Sequence, residues 1–214
     1  AFTTELHSQF YNIENRKIDN EDYSGTYSRI FPMTGLFFHT PIVHKKYNFG
    51  VTPYLFGILN SSQPNSNKVS NEDSSDYKYD LLNSNKLNRY SGSDKLDNSK
   101  RLGYGINMIW NKASLELSQS YEFDIQNNDF TKNAGLYDYM SDLLGSAKYD
   151  GGKNDLIYGF RFNVYQGLMK AQTLTLNNGS FLGLLGLTYY EERKEVNTIL
   201  ETGTETLVFT FASK

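Results

Sequence analysis

The stretch ASLELSQSYEFDIQ, residues 113–126, decides the fold. Its odd positions are Ala113, Leu115, Leu117, Gln119, Tyr121, Phe123 and Ile125; its even positions are Ser114, Glu116, Ser118, Ser120, Glu122, Asp124 and Gln126. A period of two sets a nearly apolar row and a polar row on opposite sides of an extended chain, the signature of a β-strand and not of a helix. Just upstream, Leu102, Tyr104, Ile106, Met108 and Trp110 repeat the pattern, and Asn111-Lys112 between the two runs is short enough for a tight hairpin.

Outward from this hairpin the alternation recurs. Leu156, Tyr158, Phe160, Phe162 and Val164 stand opposite Asp155, Gly159, Arg161 and Asn163, followed by Leu174 and Leu176, then Leu185, Leu187 and Tyr189, then Leu207, Phe209 and Phe211. Upstream, Phe2, Leu6 and Phe10 alternate with Thr3, Glu5, His7 and Gln9, and Tyr47, Phe49, Val51, Leu55 and Leu59 form another set. These runs predict roughly ten strands. Many reach the about 9–11 residues that a tilted membrane strand needs, against about 5–6 in a soluble sheet. The expected fold is all-β, an antiparallel up-and-down transmembrane β-barrel or part of one. Aromatics near the strand ends, such as Phe37-Phe38, Trp110, Tyr137, Tyr139 and Tyr189-Tyr190, suit interfacial girdles. A soluble β-sandwich whose core holds the same rings is the reading that periodicity leaves open.

Composition agrees with a barrel and excludes other classes. Tyr 17 and Phe 14 stand against one Trp, and the mean hydropathy of -0.56 carries no weight, because only alternate residues of a barrel strand meet lipid. A net charge of -3 without a basic patch argues against nucleic-acid binding. No apolar run approaches the roughly 20 residues of a spanning helix, so insertion would use strands. The absence of Cys leaves the redox compartment undecided. A chain opening Ala1-Phe2-Thr3-Thr4 is expected to be a mature product or an excised piece.

The connections look asymmetric. Asn111-Lys112, Gln166-Gly167 and Asn177-Asn178-Gly179 read as short periplasmic turns, whereas residues 60–100 read as one long outer loop rich in Ser, Asn and Asp. Residues 128–142 form a second candidate loop, with room for a short helical turn over 136–144.

Chemistry is sparse. Glu72, Asp73, Asp76 and Asp80 lack EF-hand spacing and read as a solvated acidic loop. His7, His39 and His44 form no metal-binding pair. There is no Gly-x-Ser-x-Gly elbow and no thiol nucleophile. Glu191 and Glu192, adjacent on a strand, point to opposite faces and make no glycosidase dyad. No catalytic residue, metal site or cofactor is expected.

Three blocks resemble one family. Asn71, Glu72, Asp73, Ser74 and Asp76 match an N-E-D-S-x-D segment; Asn88, Arg89, Gly92 and Asp94 match N-R-x-S/P-G-x-D; Tyr104-Gly105 match a Y-G strand. These are features of the outer-membrane lipopolysaccharide-assembly family LptD. Gln119 and Tyr121 fit its G-Q-x-Y motif, with Ser118 in place of the Gly, and Ser141, Asp142 and Gly145 fit S-D-x-x-G. Arg29-Ile30-Phe31-Pro32 and Thr52-Pro53 resemble further strand features, so the likeness covers about the middle half of the chain.

The resemblance implies a part of the LptD barrel over residues 1–214, with the periplasmic jellyroll, the final strands and the lateral gate outside it; the family's paired Cys have no counterpart here. It further implies non-enzymatic transport and assembly of lipopolysaccharide into the outer leaflet of a Gram-negative outer membrane. The implied partners are lipopolysaccharide, an LptE-like plug lipoprotein, an LptA-like periplasmic bridge and membrane lipid, with no nucleic acid. Polar-row residues Glu116, Ser118, Ser120, Glu122, Asp124 and Arg161 would then line the lumen, and Leu115, Leu117, Tyr121, Phe123, Phe160 and Phe162 would meet lipid. A porin or other barrel transporter, and a soluble all-β binding or adhesion domain, are the alternative functions.

Overall fold

A computed structural model of the chain describes residues 1–213 except 19, 64, 72, 75–78, 126–134, 137, 181–182 and 197–198. The strands are β1 (Phe2–Ile18), β2 (Glu21–His39), β3 (Ile42–His44), β4 (Phe49–Asn60), β5 (Lys100–Trp110), β6 (Ala113–Glu122), β7 (Leu143–Asp150), β8 (Asn154–Asn163), β9 (Leu168–Ser180), β10 (Gly183–Val196) and β11 (Ile199–Ser213). They form one antiparallel sheet in the order β1-β2-β4-β5-β6-β7-β8-β9-β10-β11, with β3 beside β4. This is the up-and-down order that the alternating runs predict. β1 and β11 are the ends of that order, so the sheet is not closed among the described residues.

The chain divides into two compact units. Unit 1 comprises Ala1–Phe38, Phe56–Leu102 and Tyr121–Tyr139. Its β1/β2 hairpin runs from Phe2↔Leu36 to Ile18↔Glu21, interrupted by a bulge between Ile13 and Arg16 where Asn15 takes φ 52. The period of two now has a physical meaning. Phe10 and Leu59 are 72% and 62% exposed, whereas Phe31, Met33, Phe56 and Ile58 on the opposite rows are buried to 1% or less. What covers those rows is the described part of 61–99, in which Val69, Tyr79, Leu87, Tyr90 and Leu96 are buried. Phe37 stacks on Phe56 with ring centroids 6.1 Å apart. At Gly35 a Cβ would press within 2.7 Å of the Leu87 side chain, so the absence of a side chain there lets the loop approach.

The loop therefore differs from the solvated segment that its composition suggests. Few aliphatics sufficed, because Tyr79 and Tyr90 supply apolar area and polar groups find partners inside the loop. Asp73 and Asp80 are exposed as expected, while Glu72 and Asp76 lie outside the described residues.

Unit 2 comprises His39–Leu55, Gly103–Ser120 and Met140–Lys214. It is a meander of tight connections. Asn111, at φ 51, turns β5 into β6; Gly152, at φ 85, serves β7 and β8; Gly167, at φ 66, serves β8 and β9. β6 and β7 register from Ala113↔Tyr149 to Ser118↔Leu144, and the Asp150 N–H donates to the Lys112 carbonyl at 2.8 Å. Thus the turns at 111–112 and 151–153 share one end, while Gln166-Gly167 lies at the other. That corrects the expectation of one short-turn side for both, since successive turns of a meander alternate ends.

Two further expectations fail. Asn177-Asn178-Gly179 is not a link but the end of β9, paired as Asn178↔Asn154 and Asn178↔Leu185. Turn-forming residues stay extended here because strands on both sides satisfy their backbones. No described residue of 136–144 is helical; Leu143 already begins β7, as its pairing with Phe162 requires.

Candidate functional site

The motif residues converge in unit 1, where they fasten the loop. Asp73 and Asp94 cap one another: Asp73 accepts from the Ser93 N–H at 2.8 Å, the Ser93 hydroxyl at 2.7 Å and the Asp94 N–H at 2.8 Å, and Asp94 accepts from the Asp73 N–H at 3.1 Å. The Ser93 hydroxyl, then the Ser93 and Asp94 N–H groups, hold the Asp73 carboxyl well below the usual carboxylate range. Ser74 accepts from the Lys95 N–H at 3.0 Å, and Asn71 accepts from the Ser74 N–H at 3.2 Å. Gly92 is obligatory, since a Cβ would overlap the Asp73 backbone. Asn88 accepts from the Tyr90 and Asp97 N–H groups at 3.2 and 3.1 Å. These residues therefore join two legs of the loop about 20 residues apart in sequence.

The legs are tied to the sheet in turn. Arg29 of β2 donates to the Asp94 carbonyl at 2.7 Å and to the Asn65 side chain at 3.0 Å, and its Nε donates to Gln9. Gln9 of β1 donates to the Ser93 carbonyl at 2.7 Å. Asn60, the last residue of β4, donates to the carbonyls of Leu87 at 2.8 Å and Asp97 at 2.7 Å.

Beneath these contacts lies a dry cluster of two cations and two anions. Arg89 grips Asp97 in a fork, Nε to Oδ2 at 2.6 Å and Nη2 to Oδ1 at 3.1 Å, and its Nη1 reaches Glu122 of β6 at 2.7 Å. Arg101 of β5 donates to Asp97 at 3.1 Å and to the Lys86 carbonyl. Ser99 donates its hydroxyl to Glu122 at 2.6 Å and its N–H to Asp97 at 3.1 Å. Burial pushes the Asp97 carboxyl up, but the charges of Arg89 and Arg101, with hydrogen bonds from Arg89 and Ser99, outweigh it and hold the group below its ordinary value. Each buried charge meets an opposite one, which is the condition for charges in a dry interior.

Unit 2 holds a second set of motif residues. Tyr104 donates to Gln119 at 2.7 Å, Gln119 donates to the Ser141 carbonyl at 2.9 Å, and the Ser120 N–H donates to the Ser141 hydroxyl at 2.9 Å. Asp142 stands 3.4 Å from Arg161, which is also 3.4 Å from Glu192. The Tyr54 ring covers Gly105 and the Phe160 ring covers Gly145; in each case a Cβ would overlap the ring. Tyr121, in unit 1, packs against Tyr139 at 5.9 Å and edge-on to Phe123 at 5.5 Å.

Of the polar row, Ser118, Ser120, Glu122 and Arg161 are buried, while Glu116 and Asp124 are half-buried. Tyr121 and Phe123 are exposed, and Leu115, Leu117, Phe160 and Phe162 are half-buried. Asn60, Asp97, Ser99, Arg101 and Gln9 had not been singled out as site residues from sequence. Their signal is a polar side chain on a row that alternation turns inward, as with Arg29, Asn60 and Arg101. Among the described residues no group of His, Asp and Glu is arranged to hold a metal ion.

Long antiparallel strands with a bare apolar side, and an opposite side carrying charges and a folded loop, define an all-β protein built to present different chemistry on its two faces. The family model described as LptD, LPS transport system D, matches residues 1–212. The chain belongs to this family, whose members act in lipopolysaccharide transport and assembly at the outer membrane. The match includes both flanks of the motif blocks. No curated protein matched the chain.

Proposed function

We propose that this chain builds part of an LptD-type barrel wall and takes part, without catalysis, in moving lipopolysaccharide into the outer leaflet of a Gram-negative outer membrane. The supporting observation is the separation of faces. Phe2, Leu6, Phe10, Leu36, Leu59, Leu176 and Phe209 are exposed, while the buried polar groups include Arg29, Arg101, Glu122 and Arg161. Exposed apolar rows of this extent are costly in water and favourable against hydrocarbon. The polar face suits sugars and phosphates, leaving acyl chains to the lipid side, with an LptE-like lipoprotein within the barrel and an LptA-like bridge delivering from the periplasm.

The chain has no Cys, so single-Cys variants report cleanly. In lipopolysaccharide-containing bilayers, labels at Phe10→Cys, Leu59→Cys and Phe209→Cys should be quenched by lipid-borne quenchers and not by aqueous ones. A photo-crosslinker replacing Tyr27, on the inward row of β2, should capture lipopolysaccharide sugar. Aqueous quenching of the first three, or no capture at Tyr27, would overturn the reading.

A further inference from the structure

The bare side of unit 2 is not flat: one ridge separates two furrows. The registers Ala113↔Tyr149 and Leu115↔Ala147 set the small residues Ala113 and Ala147 on diagonal positions of the outward face. Trp110, Tyr158 and Tyr149 rise around them and leave a furrow of about 450 Å³. Tyr149 and Leu156, directly opposite one another, form the ridge and line both hollows. Beyond it, Leu176, Leu187, Phe209 and Phe211 bound a second furrow of about 560 Å³. Both volumes fall in the range of about 300–1,000 Å³ typical of small-ligand sites. The ridge ends at the turns 111–112 and 151–153, which the bond from the Asp150 N–H to the Lys112 carbonyl, at 2.8 Å, brings side by side. Each turn carries an exposed lysine, Lys112 and Lys153, and neither ammonium has an ion-pair partner among the described residues. Lys45 and Lys46 add charge at the same end, because the Asn111 N–H donates to the Asn48 carbonyl at 3.0 Å. The carboxylates of the hairpin end face away: Asp150 follows the outward Tyr149 and pairs with Asp155 on the opposite row.

We propose that this surface seats one anionic glycerophospholipid, with an acyl chain in each furrow, the glycerol astride the ridge of Tyr149 and Leu156, and the phosphate between Lys112 and Lys153. Two hollows of similar size divided by a single ridge suit a molecule with two similar chains. A furrow left unfilled forfeits the dispersion contacts of its walls, and a flexible chain restores them where a neighbouring protein surface would have to be shaped to fit. The charge is complementary as well. Unpartnered lysines at the edge of a hydrocarbon-facing surface attract anionic headgroups over zwitterionic ones, and Asn178 and Asn154, hydrogen-bonded to each other at the mouth of the second furrow, supply a polar border beside them. The inference rests on the reading that the bare side meets hydrocarbon, and it adds which lipid sits there and where.

The sequence holds a single Trp, and Trp110 lines the first furrow, so its fluorescence reports occupancy. The full chain is reconstituted in phosphatidylcholine bilayers to which phosphatidylglycerol or phosphatidylcholine brominated along its acyl chains is added. Brominated phosphatidylglycerol should quench Trp110 at a mole fraction about tenfold lower or more, since each lysine near a headgroup contributes about fivefold. The double variant Lys112→Gln with Lys153→Gln should lose that preference and keep the quenching by phosphatidylcholine. Ala147→Phe, which fills the first furrow from the lipid side, should lose it too, with amide protection of β6 and β7 unchanged. Unbrominated lysophosphatidylglycerol, with the same headgroup and one chain, should displace the brominated lipid far less well than phosphatidylglycerol does. Equal quenching by the two brominated lipids would overturn the proposal and leave the barrel-wall reading standing, whereas no quenching by either would sink both. A preference that survives Ala147→Phe would mean charge alone, which an acidic protein surface could use equally, and would overturn the seat. Displacement by lipopolysaccharide at equal phosphate would assign the furrows to that lipid and overturn it as well.

Discussion

The two units carry the same kinds of residue on the polar side of their strands, yet their ion pairs differ. In unit 1 the contacts of Arg89 and Arg101 with carboxylates are 2.6–3.1 Å long and their side chains are fully dry. In unit 2 Arg161 stands 3.4 Å from both Asp142 and Glu192, and the Glu192 side chain retains 12% exposure. The distinguishing feature is the cover. Unit 1 folds a long loop back over its polar rows, whereas unit 2 connects β7, β8 and β9 by tight turns and leaves the Arg161 and Asp142 side chains 5% and 4% exposed. Loss of water strengthens each charge–charge contact and raises the penalty for losing one. In unit 1 the loop both covers the polar rows and supplies two of the four charged partners, Arg89 and Asp97.

The sharpest way to break this comparison is to remove one carboxylate from each unit. Asp97→Ala removes the carboxylate that two guanidinium groups share in a dry site, and should cost about 3–5 kcal/mol. Asp142→Ala leaves Arg161 with Glu192 and should cost about 1–2 kcal/mol. Native-state hydrogen exchange in micelles reads both, the first over 61–99 and the second over β7 and β8. Equal losses would show that the cover does not matter.

A charge placed on the bare side should, by contrast, treat the units alike. Leu59 in unit 1 and Leu176 in unit 2 are 62% and 43% exposed. Against hydrocarbon, Leu59→Arg and Leu176→Arg should each cost about 2–4 kcal/mol if they sit near the midplane. Unfolding by denaturant from lipid bilayers measures the cost. If neither variant differs from the parent chain, the apolar rows do not meet lipid.

How much of this could be read without coordinates follows from the range of each interaction. Alternation is local, so Leu115, Leu117, Tyr121 and Phe123 announce β6 within one short window. The trio Asn177-Asn178-Gly179 misleads for the same reason: its local chemistry favours a turn, and only the partners Asn154 and Leu185, far away in sequence, keep it extended. Asp73, Asn88, Arg89, Gly92 and Asp94 were legible as a pattern but not as a mechanism. The contacts that tie this loop to the sheet span separations that no periodicity encodes, 84 residues for Gln9 and Ser93, 37 for Asn60 and Asp97, 33 for Arg89 and Glu122. Composition pointed the wrong way for residues 61–99, because polar content signals solvation only when polar groups lack partners within the fold.

Glycine contacts sharpen the comparison at a smaller scale. At Gly92 an added Cβ meets the backbone of Asp73, which the reciprocal Asp73 and Asp94 caps hold in place. At Gly145 it meets the far edge of the Phe160 ring, which a modest χ rotation can move aside. Gly92→Ala should therefore destabilise the loop by about 1–3 kcal/mol, and Gly145→Ala by about 1 kcal/mol or less. Exchange protection of 71–95 and of β7 gives the two values. A larger effect at Gly145 would mean that the ring is fixed as firmly as the loop backbone.

The smallest expected effect concerns pH, and it separates the two loop carboxylates from an acid switch. Ser93 and Asp94 hold the Asp73 carboxyl low, and Asp97 is held low by Arg89 and Arg101 against the opposing effect of burial. A carboxyl whose folded value is depressed takes up protons more readily in the unfolded loop. Its contribution to stability is complete above the unfolded-state value of about 4, and it fades only as pH falls through the folded values. Loop protection, corrected for intrinsic exchange, should therefore be flat from about pH 8 to about pH 5 and decline only in stronger acid. Protection that fell between those two values would require a different group, one with a raised pKa, to carry the seating of the loop.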